Sequence, residues 1–286
     1  MMIQGNAMLH WLAQSADGQP DLERGVPPVG LLAGAEKATF ERLTTPKRRA
    51  DWLLGRWTAK HLAQAVLCDQ VGRLMPLDEL VIAADSSGAP RLVDHPRMSI
   101  SISHSGGRAF CALSADGCIG ADIEQIAPRS DAFIADYFTE AERAAVIDAA
   151  PDCRSLIANI IWSAKEAALK ALRLGLTVDT RAVECGEILT VAEVVSATPP
   201  PGPLPTGARR ENQMALKVSP YAVGRDLGRG CMGAVPSFDL TELPAVSWNS
   251  LIIRLDARRL PGSSAQIDGW WCVMDGFVHT LALMSA

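Results

Sequence analysis

The chain has 286 residues, 48% of them hydrophobic, enough for a substantial core in one large domain or two of ordinary size. Its formal net charge of −5 and acidic pI near 5.6 exclude broad electrostatic attraction to nucleic acid or to an anionic membrane, and leave only local basic clusters to hold an anion. No run approaches the roughly 18 apolar residues of a bilayer span, the first residues lack the basic flank of a signal peptide, and a cytoplasmic location is expected.

Seven cysteines, an odd number without CxxC spacing, read as reduced structural thiols. The five histidines are too scattered for a zinc-type cluster, which leaves a hard, oxygen-ligated cation as the metal to consider.

In chain order, the first clear element is a helix over 46–71, with apolar Trp52, Leu53, Trp57, Leu62, Val66 and Leu67 at helical spacing. Arg48, Arg49 and Arg56 gather in its first half, either as a solvated basic face or as a phosphate clamp. A loop with DSSGAP at 85–90 precedes a strand, RMSISIS at 97–103, which runs into His104 and the turn Ser105-Gly106-Gly107. A lone histidine at a strand end is more often structural than functional. Here Ser103, Ser105 and the glycine N–H groups beside it offer an anion nest.

Two apolar runs, 109–115 and 118–124, flank Asp116-Gly117, a pair that favours a tight hairpin. The second contains GADIE at 120–124. In a strand Asp122 and Glu124 share a face, their Cβ atoms roughly 6–7 Å apart, and Ile123 faces the other way. Two such carboxylates suit Mg²⁺ with waters and phosphate oxygens, although a solvated polar face explains D-x-E equally well.

FTEAERAAVIDAA at 138–150 reads as a helix with a Thr139 and Glu142 capping box. In the next helix, 155–175, Ile157, Ile160, Ile161, Ala164, Ala168, Ala171 and Leu172 make an apolar stripe, opposite Asn159, Trp162, Glu166, Lys170 and Arg173. Glu166 and Lys170 could be an ordinary exposed i,i+4 pair, but Trp162 on the same side suggests a covered face. A Pro/Gly-rich connector at 198–213 follows. Strands are then expected at 250–257 and within 269–284, the latter folded at Asp275-Gly276. No repeat of fixed period is evident.

Taken together, GADIE and, about forty residues on, WSAKEAALKAL at 162–172 resemble the 4′-phosphopantetheinyl transferase superfamily, with KRRADWLLGR and SISHS upstream in the expected order. The chain length resembles the larger, monomeric, surfactin-synthetase-activating type. The resemblance implies an α+β fold of two similar halves about a pseudo-twofold axis with the active site between them, here 1–117 and 118–286. It implies transfer of 4′-phosphopantetheine from coenzyme A to a serine of an apo acyl, peptidyl or aryl carrier protein, releasing adenosine 3′,5′-bisphosphate. It further implies Asp122, Glu124 and Glu166 as Mg²⁺ ligands, with Glu166 and Lys170 catalytic. Arg48, Arg56, Ser103, His104, Lys165 and Lys170 are implied to hold coenzyme A. The turn carries Ser86 and Ser87 where relatives often have a lysine. A catalytically silent module of the same fold and a Mg²⁺-dependent phosphohydrolase are the competing readings.

Overall fold

A computed structural model describes residues 9–71, 73–186, 218–220, 246, 248–260 and 266–285. The expected connector at 198–213 lies outside them.

The chain begins with strand β1 (Leu9–Ser15), then helices α1 (Pro20–Glu23), α2 (Gly34–Glu41) and α3 (Pro46–Val71), and strands β2 (Ile82–Ala84), β3 (Pro90–Leu92), β4 (Ser99–Ser105) and β5 (Arg108–Ser114). Then come β6 (Gly117–Gln125), helices α4 (Asp131–Tyr137), α5 (Glu140–Asp148) and α6 (Pro151–Ala171), and strands β7 (Val183–Gly186), β8 (Val218–Pro220), β9 (Asn249–Leu255), β10 (Gln266–Met274) and β11 (Phe277–Ser285). The strands form two sheets, ordered β2-β3-β4-β5-β1-β8 and β6-β11-β10-β9-β7. All pairings are antiparallel except that of β8, which runs parallel to β1. The fold is α+β.

The two halves share one plan: a strand, three helices of which the last is long, then antiparallel strands, with the first strand returning to pair with the last. Thus β1 lies beside β5 as β6 lies beside β11. Long helix α3 buries Leu62, Val66 and Leu67 with Ile82, Ile100 and Leu113 of the first sheet, and α6 buries Ile157, Ile160, Ile161 and Ala168 with Ile253, Trp271 and Val278 of the second. The opposite faces of the two sheets meet each other through Trp11, Phe110, Ile119, Ile123, Trp270, Phe277 and Leu281. The result is two sheet-and-helix layers packed sheet to sheet, each helix covering an apolar face that water would otherwise meet.

The hairpin expected at Asp116-Gly117 does not form. A two-residue turn of that kind needs positive φ at both centres, and neither residue adopts it. The chain instead passes from the first sheet into the second there, leaving β5 and β6 unpaired with each other. Two-residue hairpin turns occur instead at Gly106 and Gly107 (φ 56° and 75°) and at Asp275 and Gly276 (φ 50° and 78°). Strand β4 continues through His104, so the turn begins later than its sequence suggests.

The serines of SISIS explain how the halves join. Successive outward positions on β4 present Ser99, Ser101 and Ser103 to β6, an edge strand whose free N–H groups need acceptors. Ser99 Oγ accepts from the Ile119 N–H at 3.0 Å and Ser101 Oγ from the Ala121 N–H at 2.9 Å. Ser103 Oγ, the third rung, reaches the Asp122 carboxylate at 2.8 Å.

Candidate active site

Strand β6 and helix α6 cross so closely at Gly120 that any side chain is excluded. A Cβ there would lie 1.8 Å from the Ala167 carbonyl oxygen. This contact brings the carboxylates of β6 up to the face of α6 that carries Trp162, Glu166 and Lys170. Gly120 keeps negative φ, so its role is room for backbone rather than a turn.

Asp122 is buried, at 3% exposure. Its Oδ1 accepts from Lys170 Nζ at 2.6 Å and from Ser103 Oγ, and Lys170 also donates to Ser103 Oγ at 3.0 Å and the Ala121 carbonyl at 3.2 Å. Its Oδ2 is buried with no hydrogen-bond partner. Glu124, two residues on, accepts from Trp162 Nε1 at 2.9 Å and from Arg129 at 2.8 Å. Burial, then the neighbouring Asp122 charge, pushes its pKa up, against the pull of Arg129. Glu166 is pushed up to about 7, chiefly by burial and further by Asp122 and Glu124, with Lys170 opposing. Asp122 and Glu124 thus both act electrostatically on Glu166.

Among the described residues no group of three or more His, Cys, Asp and Glu side chains is arranged to hold a metal ion. The orphaned Asp122 Oδ2 and the protonation-prone Glu166 nevertheless fit an open, oxygen-lined site for a hard cation that completes its shell with water and phosphate oxygens.

The polar side of α6 is roofed, as Trp162 suggested. Trp162 packs against Phe133 and Tyr137 of α4, with centroids 4.8 and 5.2 Å away. Asn159 donates to the Ala127 carbonyl and accepts from Arg129. Arg129 is the residue that the sequence reading missed; its only signal was a lone arginine five positions after Glu124, beside Pro128.

On the other side of β4, His104, Arg56, Trp52, Gly88 and Pro90 line a cavity of about 220 Å³. Arg56 lies over the Trp52 ring at 4.6 Å and near Glu36 at 3.6 Å. Burial lowers the pKa of His104, with Lys170 and Lys47 adding to the effect against Asp51. A second cavity of about 220 Å³ continues past Gly88 and Pro90 to Lys170 and Arg173. At its edge Arg173, just past the end of α6, reaches Asp85 of the serine-bearing turn at 3.0 Å, a cation set beside Ser86 and Ser87.

Lys165 and Arg48 fall away from both cavities, and Ser103 parts from His104. Lys165 is fully buried on the far side of α6, paired with Glu142 at 2.8 Å and donating to the Thr180 and Val183 carbonyls. One residue along a helix turns about 100°, which takes Lys165 away from the face of Glu166. Arg48 is exposed near the start of α3 and does not line either cavity. Ser103 and His104 are strand neighbours and so face opposite ways, Ser103 to the carboxylates and His104 to the Arg56 cavity.

Comparison with known proteins places these features. Residues 118–201 match the model of the 4′-phosphopantetheinyl transferase superfamily, ACPS. A holo-[acyl-carrier-protein] synthase of Streptococcus agalactiae is 33% identical over 86 residues, 29% of this chain and 71% of that protein. The 4′-phosphopantetheinyl transferase AcpT of Escherichia coli O157:H7 is 31% identical over 146 residues, 50% of this chain and 68% of that one. A putative 4′-phosphopantetheinyl transferase of Synechocystis is 28% identical over 151 residues, 51% of this chain and 59% of its own length. Both stretches that carry the carboxylates lie inside the matched region, and the chain belongs to the 4′-phosphopantetheinyl transferase superfamily, a family of transferase enzymes.

Proposed function

We propose that the protein transfers the phosphopantetheine group of coenzyme A to a serine hydroxyl of an apo carrier protein and releases adenosine 3′,5′-bisphosphate. The observation that carries this is that Lys170, paired with Asp122 and acting on Glu166, lines one cavity, while Arg56 and His104 line a neighbouring cavity that shares Gly88, Pro90 and Ile102 with it. The spacing suits an extended ligand with phosphate at two places.

Asp122, Glu124 and Glu166 would hold Mg²⁺, which when bound neutralises pyrophosphate charge. The serine oxygen bonds to the phosphorus bearing pantetheine as the bond from that phosphorus to the bridging oxygen breaks. Glu166 takes the serine proton directly or through water. Lys170 donates toward the charge that builds on the departing phosphate. Arg56 and His104 are assigned to the 3′-phosphate end of coenzyme A, while Arg173 supplies a cation at the turn that lacks lysine.

We extend the reading to a monomer of the larger type, with halves 1–117 and 118–286. Its support is that one chain supplies both sides of the site, Arg56, Ser103 and His104 from one half and Asp122, Glu124 and Glu166 from the other. A cytoplasmic setting agrees with the free thiols of Cys68, Cys111, Cys118, Cys153, Cys185 and Cys272. Among the described residues no helix is long and apolar enough to cross a membrane. Incubation with coenzyme A, Mg²⁺ and a panel of apo carrier proteins, followed by intact-mass spectrometry, should show a phosphopantetheine adduct on at least one carrier. Coenzyme A cleavage without any adduct would instead mark a phosphohydrolase.

A further inference from the structure

The two long helices carry a short repeat that the fold brings into register: Trp57-Thr58-Ala59-Lys60-His61 on α3 and Trp162-Ser163-Ala164-Lys165-Glu166 on α6. Both lysines are fully buried. Lys60 pairs with Glu36 at 2.5 Å, and Lys165 with Glu142 at 2.8 Å. Each glutamate stands at the same place, the third residue of the preceding helix, where it also accepts from the backbone N–H that precedes that helix, Ala33 or Thr139.

The correspondence goes further. Glu36 accepts from the Ile82 N–H of β2, and Glu142 from the Cys185 N–H of β7, the equivalent edge strands. Lys60 spends its other donors on the Leu31 and Leu77 carbonyls, Lys165 on those of Thr180 and Val183. Each buried pair thus ties one long helix to the short helix before it and the strand after it.

What the pairs support differs between halves. Beside Lys165 stands Glu166, one turn before Lys170; beside Lys60 stands His61, turned onto Trp57 and the Trp57 carbonyl. In the first half the glutamate instead approaches Arg56, the cation of the His104 cavity. Sheet register sets Leu12 and Gln14 of β1 at the places of Asp122 and Glu124 on β6. One half therefore keeps the carboxylate site and the other the anion cavity.

The geometry points to the two buried pairs as separate positioning devices: Lys165–Glu142 fixes Glu166 for chemistry, and Lys60–Glu36 fixes Arg56 for holding coenzyme A. This rests on the functional reading above. Neither pair touches substrate, and each acts through the neighbour it orients.

The test uses charge-neutral double variants of the full chain, Glu36→Gln/Lys60→Met and Glu142→Gln/Lys165→Met, because removing one partner alone strands a buried charge. Folding is checked by near-ultraviolet circular dichroism and thermal melting, coenzyme A affinity by calorimetry, and turnover by the mass-spectrometric assay. The first variant should weaken coenzyme A binding and raise its KM about tenfold with kcat nearly unchanged, and the second should lower kcat about 30-fold or more with coenzyme A affinity nearly unchanged. Equal losses in both parameters for both variants, no change in either, or failure of the neutral variants to fold would each overturn the proposal in favour of a purely structural role. Wild-type protein that transfers nothing to any carrier defeats the functional reading instead, and is recognised before any variant is made.

Discussion

Glu166 faces a conflict that burial creates and its acidic neighbours sharpen. It shares a half-buried site with Asp122 and Glu124, and its folded pKa near 7 stands above its ordinary 4.5. Between those values the folded chain holds a proton that the unfolded chain has released, so this group's contribution to stability falls as pH rises through that window. Glu166→Gln should remove the repulsion and raise the melting stability of the metal-free protein at pH 8 by about 1–3 kcal/mol. The same variant should lower transfer by about 10²–10⁴-fold, the range for a lost general base. A variant that is neither more stable nor less active would contradict both assignments. Asp122→Ala differs, because Asp122 is buried against Lys170 rather than turned to solvent. It should abolish transfer and also destabilise the fold by about 2–4 kcal/mol in denaturant titration, since Lys170 loses its counter-charge.

Helix α6 shows how one element serves two purposes. Its stripe of Ile157, Ile160, Ile161 and Ala168 was legible as a core face, and Glu166 with Lys170 as neighbours on the opposite, polar side. Trp162 hinted that this side is covered, but which segment covers it and Asn159, the stretch 126–138, was not legible, because it arrives from elsewhere in the chain. Nor was the separate direction of Lys165, since a signature written along the chain does not say which face each letter occupies. The glycine of GADIE is an element-level device as well. Gly120→Ala should push β6 and α6 apart, costing about 3 kcal/mol or more, read as a lowered denaturation midpoint. It should also cut transfer, by moving Asp122 from Lys170.

At the scale of the molecule, the inter-sheet core holds His279, 1% exposed and set edge-on to Phe110 at 5.1 Å. Burial drives its pKa down to about 4 from 6.5, so the unfolded chain takes up a proton in that window that the folded chain refuses. Stability on this account falls as pH drops from 6.5 toward 4, by up to about 3 kcal/mol. His279→Leu should flatten the acid limb of a stability profile measured by thermal melting between pH 4 and 7. An unaltered slope would show that other groups govern acid unfolding. The slopes of Glu166 and His279 are opposed over pH 4.5–6.5, so the loss of stability toward acid should be steeper in Glu166→Gln than in the wild-type protein.

Periodicity and capping by themselves determined the long helices, strands β4, β5, β6, β9, β10 and β11, the Asp275-Gly276 hairpin and the pair of carboxylates on one strand face, because these depend on neighbours within a few residues. The tertiary structure alone decided that Asp116-Gly117 links two sheets, that the serines of β4 satisfy the edge of β6, and that Arg129 and Trp162 hold Glu124. It also decided that Lys165 belongs to the core and that its pairing with Glu142 is repeated by Lys60 and Glu36. Each of these turns on groups brought together from distant parts of the chain, where the energy of burying a charge or an unpaired N–H is met by a partner that local spacing does not specify.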